Sequence, residues 1–260
     1  MRSVEASRGF EWWKSGFETV FKAPAVFLVM GLAWGIPLFI PFLNLIPSFL
    51  NPALQAGVQQ ATRKLDAGQM PEIGDLFSGL QTRPGPLIVL CLLPIVFMIL
   101  ILILAFILGG SAILAAIAAA SGSGQMNPAA LMGLMGSMGI VFLIAIPLSL
   151  ALFAAMFFAV SRVMFDNVGV MDALKESFAA SMKNIGAMLV FIACAVVIFI
   201  GGALLSIIPV IGGIVFVTLF YPVIAVASYR AYLDVFQPAV SMAGSSHMQA
   251  PPPPPGAPGW

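Results

Sequence analysis

Charged side chains are missing from three long stretches of this chain, residues 23–62, 84–161 and 184–229. The 11 basic and 10 acidic residues fall in four islands instead, at 2–22, 63–83, 162–183 and 230–234. A helix that crosses a bilayer needs about 20 mostly apolar residues. The first stretch offers 24–43 and 45–61, the second 86–108 and 139–160, and the third 186–206 and 212–229. The segment 45–61 is the weakest, because Asn51, Pro52, Gln55, Gln59 and Gln60 interrupt it. Residues 109–138, rich in Ala, Gly, Ser and Met, separate the helices of the second stretch, with a turn expected near 121–128. Helices that run past the bilayer or re-enter it are both compatible with that segment.

The islands give these helices a direction. A basic residue flanks each uncharged stretch at both ends: Lys22 and Arg63, Arg83 and Arg162, Lys183 and Arg230. Lys and Arg beside membrane segments stay on the cytoplasmic side. Each stretch therefore leaves the cytoplasm and returns. The expected fold is all-α and polytopic, with six transmembrane helices in three hairpins and both termini inside. Four passes through the second stretch keep the parity too, but its Gly- and Ser-rich breaks argue against them. The expected organisation is a cytoplasmic amphipathic segment over 1–22, a membrane domain over 23–235 and a disordered Pro-rich cytoplasmic tail over 236–260. The tail holds five consecutive prolines and reads as polyproline II.

The islands repeat a pattern of their own. Phe10, Trp13, Phe17, Val20 and Phe21 form an apolar stripe at helical period in the first. Ile73, Leu76, Phe77 and Leu80 do so in the second, and Met171, Leu174, Phe178 and Met182 in the third. Such stripes beside charges predict interfacial amphipathic helices, with Trp12 and Trp13 at headgroup level. A threefold repeat of interfacial helix plus hairpin follows. Basic edges suit anionic phospholipid. The acids Asp66, Glu72, Asp75, Asp166, Asp172 and Glu176 are expected to be solvated.

Composition agrees with the pattern: 61% of residues are hydrophobic and only 8% charged, against about a quarter in soluble chains. The net charge of +1 leaves no basic face for nucleic acid. Glu5, Glu11 and Glu18, with a long apolar stretch after them, argue against a signal peptide at the start. Cys91 and Cys194 lie in apolar spans and read as small buried hydrophobes. The single histidine, His247, is in the tail, so no zinc or iron site and no cofactor is expected. No carboxylate or basic residue falls inside a predicted span, which disfavours proton-driven transport.

Asn51, Gln55 and Gln59 recur at every fourth position and so share one helix face. Amides facing lipid are costly, so this face must meet protein, water or a ligand. It reads either as a solute path or as interhelical hydrogen bonding, and the second is the commoner use. The cluster Met126, Met132, Met135 and Met138 offers thioethers to Cu(I), but the interleaved Gly133, Gly136 and Gly139 fit helix packing better. Gly31 and Gly35 form a helix-contact pair, and Pro37, Pro94, Pro147 and Pro222 predict kinks.

The sequence Asn51-Pro52-Ala53-Leu54-Gln55-Ala56-Gly57 leads to Leu65-Asp66-Ala67-Gly68, then Gly74-Asp75-Leu76-Phe77-Ser78-Gly79. With Asp172-Ala173-Leu174-Lys175-Glu176-Ser177-Phe178 and Lys183-Asn184, it resembles a bacterial multi-pass inner-membrane family of unknown function. It is also similar to the membrane domain attached to some glycerophosphodiester phosphodiesterases. The resemblance covers about residues 9–235. It implies a bacterial inner-membrane location and six helices, and it brings no catalytic residues. With no acid, base or nucleophile constellation in view, an enzyme is not expected. The expected role is a non-enzymatic scaffold or accessory protein that meets the phospholipid bilayer and a membrane-protein partner or a second copy of itself. The alternative is a carrier or channel for a lipid-like or small neutral solute, using the Asn51, Gln55 and Gln59 face.

Overall fold

The computed structural model describes residues 1–122, 128–208 and 210–237. Most of the turn expected near 121–128, Met126, Pro209 and the tail from residue 238 lie outside these. The described residues are helical, with no strand. The helices are α1 (Arg8–Lys22), α2 (Pro24–Gly35), α3 (Leu45–Asp66), α4 (Ser78–Thr82), α5 (Pro84–Gly122), α6 (Pro128–Phe157), α7 (Ala159–Phe165), α8 (Val170–Lys183), α9 (Ile185–Leu205) and α10 (Ile211–Phe236). Short 3-10 turns at Ile36–Phe39 and Ile73–Phe77 complete them.

Four stretches are long and apolar enough to cross a membrane: Pro84–Gly110, Leu131–Phe165, Ile185–Leu205 and Ile211–Phe236. A fifth arises if α1 and the segment Pro24–Phe39, bent 107° from it, are taken as one broken span. The count of six helices expected from the charge pattern therefore reduces, on length and composition, to four or five. The segment 24–43 is shortened because α2 gives way to a 3-10 turn at Ile36, beside Pro37, which supplies no backbone N–H. α3 fails the same measure because Asn51, Gln55, Gln59, Gln60 and two prolines lower the hydropathy even of its uncharged part. Conversely, α5 and α6 run well past 86–108 and 139–160, so most of segment 109–138 continues both helices. At 39 residues α5 is about 58 Å long, nearly twice the hydrocarbon thickness.

The islands turn into the membrane helices through one-residue corners. Ala23 (φ −137°, ψ 60°), Arg83 (φ −137°, ψ 55°) and Asn184 (φ −113°, ψ 33°) each end one helix as the next begins. A phenylalanine stands six residues before each corner: Phe17, Phe77 and Phe178. Proline opens the following helix in two of the three, at Pro24 and Pro84, where its missing N–H costs no helical hydrogen bond. Packing follows a cyclic order. α1 lies on α10, α4 and its 3-10 turn lie on α3, and α8 lies on α6 and α7. α3, α7 and α10 meet one another at the centre. α10 is the most enclosed, with 44% of its span buried against 17% for the other three.

Small residues permit these close approaches. A Cβ at Gly31 of α2 would overlap the Thr218 carbonyl of α10, and one at Gly57 of α3 would overlap the Leu76 carbonyl. Gly136 and Gly139 do not work this way: no described atom lies within 4 Å of a Cβ built on either, and Met132 and Met135 are exposed.

The placement of the two α1 tryptophans is also corrected. α1 buries Gly9, Trp12, Trp13, Gly16, Thr19 and Val20 against protein, while Phe10 and Phe21 stay exposed. Trp12 and Trp13, at 1% and 2% exposure, are core residues rather than headgroup anchors. Their indole N–H groups donate to Asp234 Oδ2 (2.7 Å) and the Phe191 carbonyl (3.0 Å). α8 packs through the small residues Ala173, Ser177, Ala180 and Ser181 and leaves Met171, Phe178 and Met182 of its expected apolar stripe exposed.

Candidate functional site

α3 is the least apolar of the long helices and one of the best enclosed, and that pairing builds the site. Its 3.6-residue period puts Asn51, Gln55 and Gln59 in a row facing α7 and α10. At the inner end the row is closed. Gln59 is fully buried. Its Nε2 donates to Ser228 Oγ of α10 (3.1 Å), and its Oε1 accepts from Ser161 Oγ of α7 (2.9 Å). Ser228 Oγ in turn donates to the Ala225 carbonyl (2.9 Å). One polar side chain from each of the three central helices thus joins a single network, with both the nitrogen and the oxygen of the Gln59 amide engaged.

One turn outward the row opens. Gln55 Nε2 donates to the same Ser228 Oγ (2.9 Å), but its Oε1 has no protein partner among the described residues, nor has the Asn51 amide. Both line a cavity of about 510 Å³ together with Ser48, Ser149 and Ser228. That volume suits a small-molecule site. The opposite wall is aromatic, including Phe97, Phe157 and Trp34, which stacks on Tyr221 at 4.7 Å between ring centroids. No Asp, Glu, Lys or Arg lines the cavity. Its chemistry is hydrogen bonding by neutral amides and hydroxyls on one side and apolar contact on the other.

The four islands converge in one layer below this cavity. Arg230 holds Asp66 through two bonds (2.7 and 2.8 Å) and reaches Thr19 Oγ1 at 3.0 Å. Arg8 pairs with Asp234, and Lys64 with Asp75 at 2.6 Å. Arg162 pairs with Glu176 and with Asp166 (2.5 Å), whose other oxygen accepts from Tyr232 Oη (2.8 Å). The acids expected to be solvated are therefore largely bound: Asp66, Asp75, Asp166 and Glu176 all hold basic partners. Hydrogen bonding to Asp75 raises the Lys64 pKa above its ordinary 10.5, against a smaller opposing effect of burial.

Of the six basic flanks, Arg162 and Arg230 are turned inward, with side chains 18% and 16% exposed. Arg63 lies over the Phe165 ring at 5.4 Å, and Lys183 Nζ donates to the Met1 carbonyl (3.0 Å). Arg83 has a buried Nε without a partner among the described residues. Lys22 is exposed and borders a second, charged cavity with Glu18, Asp66 and Arg230. Among the described residues no group of three or more His, Cys, Asp or Glu is placed to hold a metal ion.

Sequence reasoning passed over Ser161 and Ser228, the hydroxyls that complete the Gln59 network. A signal was present. Arg162-x-x-x-Asp166 and Arg230-x-x-x-Asp234 repeat one motif, and a serine stands one or two residues before each arginine. No family model, curated protein or solved structure matches the chain, so the geometry alone carries the functional reading.

Proposed function

We propose that this is a membrane protein that binds an uncharged amphipathic molecule in the cavity beside α3, as a carrier rather than a scaffold. The observation that carries the reading is the unspent hydrogen-bonding capacity of Asn51 and Gln55, facing an aromatic wall in a space without charge. A packed amide stripe would spend that capacity on protein, as Gln59 does. No Asp, Glu, Lys or Arg lines the cavity, and the proposed movement of the solute is passive, down its gradient.

The same proposal takes α3 as a membrane pass, which restores six passes in three hairpins. Lys22 before α2 and Asp66 at the end of α3 border one cavity, and this supports that topology. On the charge rule the ionic layer and both termini then belong on the cytoplasmic side; a bacterial inner membrane is the location that the resemblance implies. Reporter fusions after Gly68 and after Lys175 are expected to read cytoplasmic; a periplasmic signal after Gly68 removes α3 as a pass.

Binding is testable through Trp34, which lines the cavity while Trp12 and Trp13 pack elsewhere. A dibrominated monoacylglycerol is expected to quench purified protein saturably, and Trp34→Phe to remove that component. The double variant Asn51→Leu/Gln55→Leu is expected to bind about fivefold or more weakly, since one hydrogen bond contributes on the order of 1 kcal/mol. Quenching that none of these substitutions alters overturns the carrier reading. The scaffold reading would then lead, carried by the exposed Phe10, Phe21, Phe77 and Phe178 around the ionic layer.

A further inference from the structure

The cavity beside α3 does not end at its aromatic wall. Ser149, Phe153, Phe199 and Ile224 are shared with a groove of about 570 Å³ that runs between α6 and α9. This groove is nearly all apolar; Ser149, at its junction with the cavity, is its one hydroxyl. Through Leu150, Phe153 and Ile192 it continues into a third space of about 320 Å³, which reaches Phe178 and Met182 of α8 beside the ionic layer. α6 and α9 barely meet along this seam, whereas α5 and α6 pack along their length. Phe142, Ile146 and Val196 border the groove and are exposed on the outer surface of the bundle. The three spaces thus form one path, polar at its inner end and apolar from there outward.

We infer that the occupant is a lipid with an uncharged, hydroxyl-bearing head, which enters sideways from the bilayer between α6 and α9. This rests on the carrier reading and adds the ligand class and the route. The head belongs beside Asn51, Gln55 and Ser149, and the hydrocarbon lies in the seam. Two observations select this occupant. The first is continuity, since a polar cavity and an apolar groove that share four side chains fit one molecule with both characters. The second is charge. No cation lines any part of the path; Lys183, next to Met182 at its far end, donates to the Met1 carbonyl, and Arg162 and Arg230 of the ionic layer are paired with acids. A phosphate head would enter a low-dielectric site without a counter-charge, which is strongly unfavourable. A hydroxyl head needs only donors and acceptors, which the Asn51 amide and Gln55 Oε1 have to spare. The seam also makes an aqueous route unnecessary, because the ligand never leaves the hydrocarbon.

The test uses full-length protein in phosphatidylcholine vesicles with a diacylglycerol that carries a diazirine midway along one acyl chain. Peptide mapping is expected to place crosslinks on α6 and α9, around Ile146 and Ala195. Excess unlabelled diacylglycerol is expected to reduce them at least tenfold, and phosphatidic acid with the same chains to leave them unchanged. A long-chain isoprenoid alcohol, run as a second competitor, distinguishes a glycerol-based lipid from a polyprenol of the same head chemistry. Ala145→Trp and Ala195→Trp, which fill the seam, are expected to abolish crosslinking. If neither variant folds, the crosslink map and the competition on the unaltered protein decide alone. Crosslinks scattered over all outward helix faces, or equal competition by phosphatidic acid, overturn the inference. Trp34 quenching by the dibrominated monoacylglycerol separates the two levels. If it persists while seam crosslinks are absent, the sideways route fails and the carrier reading stands. If both are absent, the carrier reading itself has failed.

Discussion

One helical turn separates Gln59 from Gln55, and the two amides have opposite surroundings. Gln59 is buried among α3, α7 and α10 with both ends of its amide engaged. Gln55 shares Ser228 with it but leaves its carbonyl oxygen facing a cavity. The difference is not in the residues, which are the same, but in what the neighbouring helices present. Around Gln59, Ser161 of α7 and Ser228 of α10 come within hydrogen-bond reach, and Gly57, two residues before it, lets the Ile73–Phe77 turn close on α3. Around Gln55 and Asn51 the bulky Trp34, Phe157 and Tyr221 hold them apart. A polar group inside a membrane protein becomes structural where the backbone comes close, and available where rings prop the backbone open.

The comparison breaks most severely at Gly57. Any side chain there collides with the backbone of Leu76, which cannot move aside as a rotamer can. Gly57→Val is expected to destabilise by about 3 kcal/mol or more, at the upper end for overpacking. Thermal melts in detergent are expected to show loss of the cooperative transition. Asn51→Leu, two turns away in the open half, is expected to stay within about 0.5 kcal/mol of the unaltered protein. Equal losses for the two substitutions would erase the distinction between the halves.

The next effect lies in the ionic layer that supports the closed half. Arg230→Met leaves Asp66 without its two-bonded partner and Thr19 without its donor. A buried pair broken on one side loses about 3–5 kcal/mol. Asp66 is 37% exposed, so solvent screening lowers the expected loss to about 1–2 kcal/mol. A double-mutant cycle with Asp66→Asn should return a coupling above about 0.5 kcal/mol. Additive losses would show that the two groups do not stabilise the fold as a pair.

Within the polar row itself, Gln59→Leu strands the Ser161 hydroxyl, removes one of the bonds to Ser228 and is expected to cost about 1–2 kcal/mol. Gln55→Leu gives up one shared bond, about 0.6 kcal/mol by the average for membrane helices. Its larger effect is expected on ligand binding. The reverse ranking in melts would place the closed network at Gln55.

How much of this was legible in the sequence depends on the distance over which the signal acts. The all-helical fold and the apolar helices follow from runs of uncharged residues, a local property. The row of amides was legible for the same reason, since helical period alone aligns Asn51, Gln55 and Gln59. The fate of each amide was not, because it depends on Ser161 and Ser228, more than 100 residues away in the chain. The same limit governs α1. Its stripe has the period of an interfacial helix, but Gly9 and Gly16 let it bury its indoles in protein. Solvation of Asp66 and Asp166 was inferred from their place in loops of mixed charge. Arg230, brought in by α10, and Arg162, one turn before Asp166, bind them instead.

The smallest effect tests the edge of the closed half, where Lys64 of α3 meets Asp75 of the neighbouring turn. Asp75 also accepts the Glu72 N–H at 2.9 Å, so this carboxylate fastens the turn that covers Gly57. Because Asp75 raises the Lys64 pKa, the protonated amine is favoured in the folded state. The stabilisation is therefore complete below the ordinary value of 10.5 and disappears as pH rises through the higher folded value. Melting temperatures of the unaltered protein and of Lys64→Met are expected to keep a constant small gap from about pH 7 to about pH 9 and to converge above about pH 11. Lys64 is partly exposed, so the gap is expected to shrink with added salt as well. A gap that widens with pH would mean that the neutral amine is the form the fold prefers, and the contact with Asp75 would not be what holds this turn against α3.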